Sequence, residues 1–178
     1  MNKLVSPRMI FVISAVLIAA VTRFIPHAPN FTAISAMALF AGATLSNRWL
    51  SLIVPMAAMG LTDLFYEAHN TMWAVYGALV LTTMIGWTIR EKQNALTIGA
   101  ASIVAIGLFF IITNAAMWVV GFYTTPAFYS TSIGGLADAI LAGIPFLGNY
   151  VLSHVLYASF LFGAYHGIRV WKPALIKA

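Results

Sequence analysis

The chain has 178 residues, of which 62% are hydrophobic and only 7% charged, with a formal net charge of +5. Soluble domains carry about 25% charged residues, so a mean hydropathy of +0.94 describes a chain dissolved in lipid. The absence of cysteine excludes disulfides, thiolate metal sites and cysteine nucleophiles, and the basic residues stand singly at the ends of apolar runs, which argues against nucleic acid as a partner.

Lipid offers no hydrogen bonds to a bare backbone, so spanning segments are helices or closed barrels. The apolar runs here are continuous rather than alternating, which selects helices. Six spans are expected in one integral membrane domain covering 1–178, at roughly 9–24, 31–45, 49–65, 72–89, 95–121 and 144–168. The first is too long for a signal-peptide core and reads as a retained helix. Between the fifth and sixth, residues 122–143 are too polar to span; they are expected to form a surface loop with a short helix around Leu136, Ile140 and Leu141.

The positive-inside rule orients the set in the membrane. With both termini in the cytoplasm, Lys3, Arg8, Arg48, Arg90, Lys92, Arg169, Lys172 and Lys177 fall inside and only Arg23 outside. The acids run the other way, with Asp63, Glu67 and Asp138 outside and Glu91 inside.

Small residues recur at helical spacing: Ala15 and Ala19 in the first span, and Ser35, Ala38 and Gly42 in the second. Such stripes let helices approach closely in lipid. Packing within the bundle is the default role; docking of a partner membrane subunit on Ala15 and Ala19 is the functional one.

Polar side chains collect at one depth near the external face. Arg23 and His27 follow the first span, and Asn30 and Thr32 open the second. Thr62, Asp63 and Glu67 close the third. His69, Asn70 and Thr71 precede the fourth, with Tyr76 just inside it. Asn114 and Trp118 lie toward the outer end of the fifth, and His154 lies within the sixth. Polar groups at membrane depth are costly and default to a functional reading. Duller roles exist for each: Arg23 snorkelling or pairing with Asp63 and Glu67, Asn30 as an N-cap of the second helix, aromatics as an interfacial belt. No HExxH, GxSxG or P-loop is present, so the chain is read as a non-enzyme without intrinsic cofactor, and ATP-driven work would need a partner.

RFIPHAPNFTAISAMALFAGA (residues 23–43), PMAAMGLTD (55–63), FFIITNAAMW (109–118) and GIPFLGN (143–149) together resemble a family of small bacterial six-helix membrane proteins. That family is similar in size and layout to the S-components of energy-coupling factor vitamin transporters, with the solitary cobalamin-specific S-components as the nearest characterised relatives. The resemblance implies an all-α bundle. Its external pocket would be closed by the loops after spans one, three and five. Its AxxxA pattern, matched by Ala15 and Ala19, would dock a coupling transmembrane subunit with its ATPases. It implies capture of a small vitamin-like or tetrapyrrole-like molecule, a corrin included, as transported ligand. Arg23 would hold a carboxylate or phosphate, His27, His69 and Asn114 would hydrogen-bond, and Asn30 would belong to the same site. Asp63 would orient Arg23 or a ligand amide, and Tyr76 and Trp118 would give flat contact. Cobalamin-specific members place a cysteine near the cobalt; with none here, a metal-bearing ligand would have to use His69, His27 or Met72. Two other classes stand beside this one: a membrane enzyme or metal- or haem-handling protein built on His27, His69 and His154, and an assembly subunit of a larger membrane complex.

Overall fold

The computed structural model describes residues 6–66 and 68–173; Lys3, Glu67 and Lys177, given sides of the membrane above, lie outside them. Within the described residues the chain is all helical, with six α-helices and no strand. These are α1 (Pro7–Val21, continued by a tight turn Thr22–Phe24), α2 (Ile34–Thr44), α3 (Arg48–Asp63), α4 (Met72–Thr88), α5 (Ala95–Val120) and α6 (Ile133–Trp171). Three are long and apolar enough to cross a membrane: Pro7–Phe24, Ala95–Val120 and Ile133–Trp171.

The helix starts are set by local chemistry. Ser6 accepts from the Met9 amide at 3.2 Å, with Pro7 filling a first-turn position that needs no N–H donor. Asn47 caps α3 through the amides of Trp49 and Leu50. Asn94 and Thr97 form a reciprocal capping box on α5, and Ser132 accepts from the Gly135 amide to open α6.

The axis of the bundle is α2, all eleven residues of which are buried. It packs on α4 backbone to backbone. A Cβ at Gly42 would strike the Thr83 carbonyl, and one at Gly86 would strike the Leu39 carbonyl. The stripe expected from Ser35, Ala38 and Gly42 is therefore spent inside the molecule. Phe40 meets Phe162 edge-on at 5.2 Å and Tyr165 at 5.9 Å, fixing α2 against α6. The buried hydroxyls of Thr44, Thr82 and Thr83 bond back to the carbonyls of Phe40, Ala78 and Leu79, which satisfies them without outside partners.

Two features differ from the sequence expectation. The segment 133–143 is not a separate short helix. It is the start of a continuous 39-residue α6 that runs through Pro145. A proline removes one N–H and crowds the carbonyl four residues back, but it leaves the rest of the helical ladder in place. Asn30 does not cap α2. Ala33 occupies that position, with no side-chain bond, while Asn30 sits in the left-handed region at φ 61°. Asn tolerates that conformation better than most residues, and it lets the chain turn after Pro29.

Candidate functional site

At the end of the bundle where α1 and α3 finish, a cavity of about 400 Å³ opens between helices. Its polar wall holds Arg23, His27, Asn30, His69 and Asn114, with Thr32, Thr71 and Thr113; Phe109, Phe110, Phe146 and Tyr150 supply its aromatic wall.

Arg23 is the best-fixed polar group. Its Nη1 donates to Asp63 Oδ1 at 2.7 Å, to Thr62 Oγ1 and to the Met59 carbonyl at 3.4 Å. The pair is largely buried, with side chains 12% and 10% exposed. The other Asp63 oxygen accepts from the Tyr76 hydroxyl at 2.8 Å. Tyr66 lies under the guanidinium at 5.0 Å and donates to the Arg23 carbonyl at 2.5 Å. Every bond from the Arg23 side chain to the described residues is made through Nη1. Two carboxylate oxygens with two donors make Asp63 an orienting group behind the wall rather than a surface of the cavity. Of the ion pairing considered from sequence, the Arg23–Asp63 part is formed, while Glu67 lies outside the described residues, and the pair presents Arg23 to the cavity.

Asn114 is held by Nδ2 donation to the Phe110 carbonyl at 2.8 Å, one helical turn back. Gly143 of α6 lies against it: a Cβ there would come within 2.6 Å of the Asn114 Cγ. Asn149 of α6 donates to the Pro29 carbonyl at 3.1 Å and ties the first loop over the cavity. His69 shares a hydrogen bond with Thr71 Oγ1 at 2.9 Å, and His27 Nδ1 lies 3.2 Å from the Ala28 carbonyl.

Five of the eight ligand-binding residues expected from sequence therefore share one cavity wall. Asp63 and Tyr76 stand behind it. Trp118 is elsewhere: its Nε1 donates to the Ser132 carbonyl at 3.0 Å and its ring meets Phe122 edge-on. No residue of the α5–α6 loop lines the cavity; Phe146, Leu147 and Tyr150 of α6 do. These were missed individually, although they fall in or beside the GIPFLGN motif, as Phe109 and Phe110 open FFIITNAAMW. His154 is fully buried and shares a 2.7 Å hydrogen bond with Ser35, away from His27 and His69. Met72 does not line the cavity, and among the described residues no three His, Asp or Glu side chains gather as a metal site. Ala15 and Ala19 line an apolar groove between α1 and α6, with Ala19 itself buried at 5% exposure.

The model of the family of unknown function DUF6580 matches residues 3–175, and the chain belongs to that family. No curated protein and no solved structure matches it.

Proposed function

We propose that the chain is a six-span transport protein of the bacterial cytoplasmic membrane, similar in plan to an energy-coupling factor S-component. In this reading it captures a small anionic vitamin-like molecule on the external face and passes it inward. The observation that carries this is the convergence of Arg23, His27, Asn30, His69 and Asn114, from two loops and α5, on one cavity with an aromatic wall. Few polar groups among many apolar ones is the usual make-up of a small-molecule site.

The parts have separate roles. Arg23, oriented by Asp63, holds a carboxylate or phosphate through its remaining N–H groups. His69, His27 and Asn114 hydrogen-bond the ligand, and Phe109, Phe146 and Tyr150 give it flat contact. A volume of about 400 Å³ lies low in the ~300–1,000 Å³ range of drug-sized sites. It suits a one- or two-ring molecule better than a tetrapyrrole, which would need the first loop drawn back. A corrin would find His69 and His27 on the wall in place of a thiolate. Movement inward would use tilting of the bundle, with a coupling subunit and ATPases seated along Ala15 and the α1–α6 groove.

Native mass spectrometry of the purified protein tests the reading, together with melting curves across water-soluble vitamins and tetrapyrroles. Retention of one small molecule, lost in Arg23→Ala, is expected. A protein that retains nothing and melts identically across the panel would overturn it.

A further inference from the structure

The opposite end of the bundle holds a second cavity of about 560 Å³, walled by Arg8 of α1, Arg169 of α6, Tyr165, and Arg90, Glu91 and Gln93 of the α4–α5 connection. Its charge is unbalanced, with three guanidinium groups against one carboxylate. Among the described residues none of these arginines is ion-paired, Arg23–Asp63 being the one such pair.

The wall is built rather than incidental. Arg90 donates through Nε to the Gly42 carbonyl at 2.7 Å, through Nη1 to the Ser46 carbonyl at 3.2 Å and through Nη2 to Ser51 Oγ at 3.3 Å. Its guanidinium also lies over Trp87 at 5.7 Å. Burial, then the charges of Arg48 and Arg8, push the Arg90 pKa below its ordinary value. Arg8 stands in the first turn of α1, where unpaired backbone N–H groups already carry positive partial charge. Its Nε is buried without a partner, and so is Oε1 of Gln93, whose Nε2 is committed to the Ala43 and Arg90 carbonyls. Three cations from three segments line one space. An anion bearing several oxygens answers them. Arg binds phosphate with matched fork geometry, and basic pockets between apolar helices are suited to anionic headgroups.

We propose that this cavity binds an anionic phosphate ester, supplied by an anionic glycerol-type lipid headgroup or by a soluble sugar or glycerol phosphate. Arg90 forms the fixed wall, and Arg8 and Arg169 bind the phosphate oxygens. The site is independent of the Arg23 cavity.

The test uses the full chain in a neutral-headgroup detergent. Melting temperature and native mass spectra are recorded with phosphatidylglycerol, phosphatidylcholine, glycerol 3-phosphate and inorganic phosphate. Stabilisation by phosphatidylglycerol and not phosphatidylcholine identifies the lipid source; stabilisation by glycerol 3-phosphate identifies the soluble one. In Arg8→Gln/Arg169→Gln the apparent affinity falls at least about tenfold, as expected for two lost charge-assisted bonds. Glu91→Gln tightens it, and Arg48→Gln, off the cavity wall but within reach of the Arg90 charge, weakens it less than the double variant does. Equal responses to both lipids with none to the phosphates, or an unaltered response in the double variant, would overturn the proposal. If the double variant does not fold, Glu91→Gln decides, an unchanged affinity counting against the site.

Discussion

Arg23 and Asp63 are joined at 2.7 Å across forty residues of chain, and the second Asp63 oxygen is taken by Tyr76. Removing one member of a buried pair strands the other at a cost of about 3–5 kcal/mol, whereas replacing both with apolar groups is often near neutral. Arg23→Ala and Asp63→Ala are therefore each expected to lower the melting temperature markedly. Arg23→Met/Asp63→Leu should recover most of it and still fail to bind ligand. Thermal melting and ligand titration on the three variants check this. A double variant that binds normally would show that the pair is only a structural tie.

Asn30 offers a way to separate backbone from side chain. Its φ of 61° suits Gly at no steric cost, while a β-branched residue there costs ~1–3 kcal/mol. Asn30→Gly should melt close to the wild type and lose the ligand contacts of the amide; Asn30→Val should be destabilised. The comparison is made by melting curves beside ligand titration.

Gly143 and Asn114 are expected to act as one unit. A Cβ at 143 displaces the Asn114 amide, so Gly143→Ala should weaken ligand binding as Asn114→Ala does, with a stability loss of ~1–3 kcal/mol from overpacking. A double-mutant cycle reads the coupling: binding losses well short of additive are expected for residues in contact, and full additivity would place the two effects apart.

Much of the fold was legible because lipid-scale apolar runs end at polar clusters, and five helices lie within a few residues of their expected ranges. The start of α6 was not, because Gly143 and Pro145 imitate a helix boundary. Only the packing of Gly143 on Asn114 reveals that the glycine serves close approach, and only the continuous ladder shows that the proline is absorbed. The polar half of the site could be read for the same reason as the helices: Arg23, His27, Asn30, His69 and Asn114 interrupt an apolar background. Its aromatic half could not. Phe109 or Tyr150 facing a cavity is the same letter as a phenylalanine or tyrosine facing lipid, and the side that each faces depends on neighbours distant in sequence. Tyr76 and Trp118 were placed by depth alone. Their hydroxyl and indole N–H are committed to Asp63 and to the Ser132 carbonyl.

The Gly42–Gly86 crossing yields a further prediction. Gly86→Leu should drive its side chain into the α2 backbone and cost about 3 kcal/mol or more, whereas Gly77→Leu, with nothing within 4 Å of its Cβ position, should be tolerated. Melting temperatures of the two variants compare a backbone contact with open space on the same helix.

The shortness of α2 bears on how the molecule is assembled. Eleven residues rise only about 16 Å at 1.5 Å each, roughly half the ~30 Å hydrocarbon core of a bilayer. Such a segment has no stable resting place across lipid by itself, and its flanking backbone is unsatisfied until protein surrounds it. In a bilayer its seat comes from the surrounding helices, α4 above all, where Gly86 lets the two backbones close. α4 is made after α2. The order of synthesis and the order of burial are thus reversed for this helix, and a nascent chain arrested before Gly86 emerges should hold residues 34–44 outside the lipid core.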